Sequence, residues 1–384
     1  VSGPRIRERP EDFIVEELAT VDPIEDGDHV LLQVQAIDVD HYTMVDRLAA
    51  VHGVHRRNVG WAGMKDRRAV SRQWITIKTD ADAVKLDDPD LKVEQAFRCA
   101  RRRRPGQLMG NRFEITIRGV EPTELLRVMP RLQKIATEGL PNRFGPQRFG
   151  HRGINPLLGQ ALLQGDLEAL FRIWLGQDGP SYDDREIDRR RAFDQGRWQE
   201  ALRGWPPRWA PERGAIEALG RTGSVERALA TVPRRIRGLW VDALQSVIFN
   251  EVMEHRVAQG TLATITDDDV VSVFTNFQEL VGDDEGPDRS ATGPLFGRKM
   301  RRPGEAVAAM EHEVLQRQGL GMELFTDGPY APGGARRPLI VPVLRAGAES
   351  GVDDRGGYLR LRFCLPRGAY ATSVLSAVGY DDVR

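Results

Sequence analysis

Leu359-Arg360-Leu361-Arg362-Phe363-Cys364-Leu365, close to the C-terminus of this 384-residue chain, alternates side chains with a period of two. That period puts Leu359, Leu361, Phe363 and Leu365 on one face and Arg360, Arg362 and Cys364 on the other. It is the pattern of a half-buried strand with one polar face. The first third of the chain repeats it: Val30, Leu32, Val34 and Ala36 share a face within 29–37, Ile75 and Ile77 within 73–78, and Phe113, Ile115 and Ile117 follow suit. The intervening block is mostly helical until about residue 264 and holds Trp174, Trp198, Trp205, Trp209 and Trp240 among Pro- and Arg-rich pieces. Strands at both chain ends around a helical block predict an α+β domain carrying a large insertion, with boundaries near 1–153, 154–337 and 338–384.

Helical spacing predicts helices at 43–53, stopped by Gly53; at 123–139, interrupted by Pro130; and at 242–260, with Asp242 as N-cap. Residues 282–302, rich in Gly, Asp and Arg, read as a long loop. No run of eighteen apolar residues is present, so no membrane span is expected. The first thirteen residues lack the apolar segment of a signal peptide, and the chain starts at Val1, which suggests a trimmed start. Cys99 and Cys364 are too few for a disulfide framework and form no CxxC, which makes the cytoplasm the expected location. His52 and His55 have no carboxylate or thiol at ligand spacing and read as helix-end or solvent residues, so no metal is expected. Neither GxGxxG nor GxxxxGK[ST] occurs, so no nucleotide cofactor is expected either. No coiled coil or interface stripe is visible, and the chain is expected to be a monomer.

A formal charge of -1, from 55 basic and 56 acidic residues, excludes a protein that coats nucleic acid or membrane by bulk charge. The balance is a cancellation. Residues 1–153 carry +3 and residues 338–384 carry +1, against -5 for 154–337, where an acidic stretch runs over 267–288. Three runs are positive: 56–72 with six basic residues against Asp66, 98–104 with five arginines, and 143–152 with three. Any one of them alone reads as a solvated face. Together, interleaved with Gly and aromatic residues, they predict a basic groove. Only six of the 55 cations are lysine, and Arg suits phosphate and base-edge contacts, although genome composition gives the same bias.

Three stretches carry candidate chemistry. In Gly60-Trp61-Ala62-Gly63-Met64-Lys65-Asp66-Arg67-Arg68-Ala69-Val70, two glycines precede a carboxylate set among cations. Such surroundings favour the ionised form, which suits a nucleophile or an electrostatic stabiliser; the plain alternative is an Asx-turn or a surface ion pair. Asn142-Arg143-Phe144-Gly145-Pro146-Gln147-Arg148-Phe149-Gly150 offers rings and amides of the kind that hold an unstacked base, or else a buried turn. Gly368-Ala369-Tyr370-Ala371-Thr372-Ser373 places an aromatic after a strand, at a candidate helix start.

With these blocks in order, the chain resembles the TruD family of tRNA pseudouridine synthases over nearly its whole length. The matching residues are Pro10-Glu11-Asp12-Phe13-Ile14-Val15-Glu16, the 60–73 block, Gly110-Asn111-Arg112-Phe113, and 142–150. Ser246, Phe249 and Asn250 within 244–250 follow, and then Arg362-Phe363-Cys364-Leu365-Pro366 through Val374. The resemblance implies a pseudouridine-synthase catalytic domain with a mixed, largely antiparallel sheet and a cleft, built from 1–153 and 338–384. It implies an inserted TRUD domain at 154–337. It also implies isomerisation of uridine to pseudouridine in tRNA, typically at position 13 of the D arm, without metal or organic cofactor. The essential aspartate of the family maps onto Asp66, and the uridine-contacting positions onto Phe13, Asn142 and Tyr370, with Phe144 an aromatic that packs in the site. Lys65 of the same pair is expected at the substrate.

Bacterial relatives usually carry Lys where this chain has Arg7, and many have Phe in place of Tyr370. Charge and ring are kept, and Arg7 is expected near Asp66 or a substrate phosphate. Arg67, Arg68, Arg101, Arg102, Arg103, Arg104 and Arg148 are the candidates for gripping RNA phosphates while a uridine is extruded. Whether Asp66 attacks C1′ or takes a 2′ proton is open in the residues themselves. Two rival readings are a non-catalytic RNA-binding module on the same scaffold, which the intact Asp66 disfavours, and an RNA glycosidase or nuclease.

Overall fold

In the computed structural model, which describes residues 3–25, 27–79, 86, 88–178 and 183–381, the alternating C-terminal stretch lies inside an eight-stranded mixed sheet. Its strands are β1 (Phe13–Leu18), β2 (His29–Ile37), β3 (Val59–Trp61), β4 (Val70–Ile77), β5 (Leu91–Cys99), β6 (Gly110–Arg118), β7 (Leu344–Asp353) and β8 (Gly356–Pro366). They run in the order β7-β8-β6-β1-β4-β2-β5, with β3 paired to β4. Every pair is antiparallel except β1 with β4, which run parallel with Ile14 opposite Val70.

The apolar faces read from sequence are the ones buried. Ile115 and Ile117 of β6 meet Leu359, Leu361 and Phe363 of β8 under the helix Leu125–Glu138, which contributes Val128, Leu132 and Ile135. That helix runs through Pro130 without a break. The carbonyl that loses its partner belongs to Leu126, which is 78% exposed and open to water. A second layer packs Val30, Leu32, Val34, Ile75 and Ile77 against Met44, Val45 and Leu48 of the helix His41–Val51. This helix starts two residues before the predicted 43, because Asp40 accepts hydrogen bonds from the Tyr42 and Thr43 amides, both 3.1 Å.

The sheet belongs to the first of two compact units, formed by Val1–Asn142, Val273–Arg289 and Ile340–Arg384; Arg143–Ser272 and Ser290–Leu339 form the second. The sequence boundaries lay elsewhere, at 153/154 and 337/338, and gave 273–289 to the insert. That segment joins the first unit because Phe274 packs with Phe363 and its neighbours, while Phe277 and Val281 of the helix Thr275–Val281 pack with Leu344 and Cys364. Its acidic composition hid those apolar anchors.

The second unit is largely helical around Trp174, Trp205 and Trp240. Its long helix, Arg234–Ala258, begins eight residues before Asp242, which is mid-helix and not the N-cap. The start signal is Pro233, and the Arg-rich first turns carry no apolar period. The expected loop at 282–302 contains a strand, Arg289–Leu295, paired antiparallel with Ala335–Pro338. Its small residues do not alternate, and Gly293 lets it pass the Phe249 ring, where a Cβ would come within 2.9 Å. Among the described residues no helix is long and apolar enough to cross a membrane.

Candidate active site

One face of β1 organises the site. Phe13, Val15 and Glu17 point inward in alternation with the half-buried Ile14, Glu16 and Leu18. The segment 62–69 feeds β4, the parallel neighbour of β1, so it returns beside the start of that strand. Asp66 on this segment is open to solvent, its side chain 63% exposed.

Arg7 reaches Asp66 from the chain that leads into β1: Nη2 donates to Oδ2 at 2.5 Å. The guanidinium also lies 4.0 Å above the centroid of the buried Phe13 ring, which meets Phe113 edge-on. Arg7 sits at φ 60°, a left-handed conformation that costs a residue with a Cβ about 1–2 kcal/mol. The ion pair and the ring stack hold it there. The start of β1 is anchored separately. Buried Asp12 accepts three hydrogen bonds from buried Arg118, at 2.8, 2.9 and 3.0 Å, and Arg118 also binds Asp353.

Lys65 departs from the sequence expectation. Its side chain is 5% exposed and turned into the sheet, where the ammonium donates to Asn111 Oδ1 and lies 3.9 Å from Glu17 Oε2. It is an anchor beneath the loop, because neighbouring residues of an extended segment point to opposite sides. Burial lowers its pKa, opposed by the charges of Glu17 and Asp66.

The other expected residues are spread more widely. Tyr370, 39% exposed, precedes the helix Ala371–Ala377. It follows β8, whose Pro366 is opposite Gly110, itself opposite Leu18, so it emerges at the Glu17 end of β1. Asn142 is buried, next to the short pair Leu140–Pro141 with Ile340–Val341.

Phe144 and Arg148 fall in the second unit. The Phe144 backbone is clamped by the Asn250 amide at 2.9 and 3.0 Å, and its ring packs against Phe249 and under Arg337. Arg148 binds Ser246 at 3.1 Å. The 142–150 and 244–250 blocks are thus paired with each other.

Of the arginine run, Arg102 donates to the Val59 carbonyl and Arg103 to those of Thr20 and Gln107, so these guanidinium groups are spent on the protein's own backbone. The side chains of Arg101, Arg104 and Arg68 have no partner among the described residues, and Arg67 is only 3.8 Å from Asp38. Arg101 to Arg104 line a groove of about 750 Å³ with Thr20, His29 and Gln107. Sequence reasoning missed Glu17, Asn111 and Arg118 as members of this architecture. The available signal for Glu17 was a carboxylate in phase with Phe13 and Val15. Among the described residues no group of three or more His, Cys, Asp or Glu side chains could hold a metal ion.

The fold matches the crystal structure of TruD from Methanosarcina mazei with a TM-score of 0.77 and 26% identity, over 98% of this chain and 93% of that one. It is the pseudouridine-synthase fold with an inserted unit, the fold of an isomerase. The family model described as tRNA pseudouridine synthase D (TruD) matches residues 2–378. The tRNA pseudouridine synthase D of Geobacter sulfurreducens is 34% identical, aligned over 98% of this chain and 94% of its own length. That of Geotalea daltonii is 32% identical over 98% and 96%. The chain belongs to the tRNA pseudouridine synthase D family, whose members are enzymes that form pseudouridine in tRNA.

Proposed function

We propose that this enzyme isomerises uridine 13 in the D arm of tRNA, with Asp66 as the catalytic carboxylate. The observation that carries the reading is the Asp66–Arg7 pair: an exposed carboxylate whose direction is set by a guanidinium stacked on a buried ring. Cleavage of the N1–C1′ bond sends its electron pair to the base and builds positive charge at C1′, which an ionised carboxylate beside the sugar stabilises. The base then turns, C5 bonds to C1′, C5 gives up its proton and N1 gains one. The RNA keeps its mass.

In this reading Phe13, Tyr370 and Asn142 hold the detached base, and Phe144 serves by packing. Arg7 is the counter-ion of Asp66. Arg101, Arg104, Arg67 and Arg68 face RNA phosphates, because their charges are not consumed by buried partners. The second unit is the inserted TRUD domain.

The test compares tRNA transcripts with uridine or cytidine at position 13, mapped by carbodiimide-primed extension and weighed by mass spectrometry. Expected are one pseudouridine at position 13, unchanged mass, and no product from Asp66→Asn despite retained tRNA binding. Full turnover by Asp66→Asn, release of free uracil, strand scission, or binding without any pseudouridine would each overturn the reading.

A further inference from the structure

Beneath the exposed loop the sheet buries a second carboxylate that the chemistry above does not use. The Glu17 side chain has no solvent exposure, and neither of its oxygens accepts a hydrogen bond among the described residues. Its compensation is the Lys65 ammonium at 3.9 Å, which also donates to Asn111, the residue opposite Glu17 on β6. Gly63 crosses directly above: a Cβ there would stand 3.5 Å from Glu17 Oε2 and 3.7 Å from Lys65 Nζ. The loop is therefore tethered from below one residue before Asp66, and the two neighbours diverge, with Lys65 5% and Asp66 63% exposed.

We propose that Glu17 is a positioning residue: by holding Lys65 inside the sheet it fixes the outward direction of Asp66 and keeps the ammonium from competing with Arg7 and the substrate for that carboxylate. The inference rests on the reading of Asp66 as the catalytic group. A carboxylate with no solvent exposure and no hydrogen bond of normal geometry is held chiefly by its closest cation, so it sets the loop's position more sharply than a surface pair would.

The groups that face Glu17 are Lys65 on the loop, Arg103 on the segment after β5, the amides of Gly63 and Trp74, and Asn111 on β6. Burial pushes the Glu17 carboxyl up to about 7, opposed by Lys65, Arg103 and the two amides. The tether is thus an ion pair above that pH and is lost below it, when Glu17 takes up a proton.

The experiment measures single-turnover rates at saturating tRNA between pH 6 and 8, with tRNA affinity alongside, for wild type, Glu17→Gln, Lys65→Met, the double variant and Asp66→Asn. The wild-type rate is expected to rise about tenfold over this range, following ionisation of a group near pH 7. Glu17→Gln is expected to be slower by about tenfold at pH 8, with no pH dependence of that kind and with tRNA affinity unchanged within about twofold. The double variant should be no slower than the slower single one, because Glu17 acts through Lys65. Glu17→Asp, which keeps the charge, should recover part of the rate and the pH dependence, and it serves if Glu17→Gln does not fold. A wild-type rate and pH profile in Glu17→Gln, or losses that multiply in the double variant, would overturn the proposal while Asp66→Asn stays inactive. An active Asp66→Asn protein would instead remove the reading beneath it.

Discussion

Replacing Arg7 by Gly separates what this residue does for stability from what it does for the site. Its ion pair with Asp66 joins side chains that are 30% and 63% exposed, so it adds only about 0.2–1 kcal/mol. The stack on Phe13 adds about 0.5–1 kcal/mol. Against these stands the left-handed backbone at φ 60°, whose relief by Gly returns about 1 kcal/mol after Gly's extra chain entropy is counted. Arg7→Gly should therefore be close to neutral in stability, whereas Arg7→Ala loses the same contacts without relief and should be about 1 kcal/mol less stable than Arg7→Gly. Both should slow pseudouridine formation by about 10–100-fold, since Asp66 loses the group that orients it. Arg7→Lys, which keeps the charge, should stay within about tenfold of wild type. The assay is urea unfolding followed by amide exchange in β1 and β4, paired with single-turnover kinetics. An Arg7→Ala protein as stable as Arg7→Gly would refute the strain argument. Wild-type rates in either variant would refute the orienting role.

Asp12→Ala leaves the buried Arg118 with Asp353 alone and should cost about 3 kcal/mol, read as a shift of the urea midpoint in the first unit at unchanged slope. Arg101→Ala and Arg104→Ala should each weaken tRNA binding and reduce the salt slope by about 1, without loss of stability. Arg102→Ala should instead destabilise β3 by freeing the Val59 carbonyl, seen as faster exchange there with an unchanged salt slope. The Glu17 carboxyl is raised by folding from 4.5 to about 7, so its contribution to stability is complete below about pH 4.5, declines as pH rises and is gone above about 7. Urea midpoints between pH 4.5 and 8 should show this decline in wild type and lack it in Glu17→Gln.

Alternation exposed β2, the centre of β6 and β8 in the sequence, because each has one strictly apolar face. It did not expose β1, where Phe13-Ile14-Val15-Glu16-Glu17-Leu18 puts a buried carboxylate in phase with Phe13 and Val15. Nor could any local period reveal that β1 and β4 run parallel, the pairing that brings the segment before β4 alongside the start of β1. The candidate site was legible as residue types: an Asp among cations, a candidate Arg counter-ion, nearby rings. The opposite directions of Lys65 and Asp66 were not, since they depend on Glu17 and Asn111, which lie on strands far apart in sequence and adjacent in the sheet. Arg101, Arg102, Arg103 and Arg104 are indistinguishable as letters. The backbone carbonyls that occupy the middle two are visible only in three dimensions.

The strand order also has a consequence for synthesis on the ribosome. β6 lies between β1 and β8, and its partner β8 is encoded roughly 240 residues downstream. At about 5–20 residues per second, the apolar edge of Phe113, Ile115 and Ile117 waits on the order of 10–50 s for its neighbour while the whole second unit is being made. A nascent chain of this protein thus carries an unpaired sheet edge for most of its time on the ribosome, and that edge is where a holding chaperone would act.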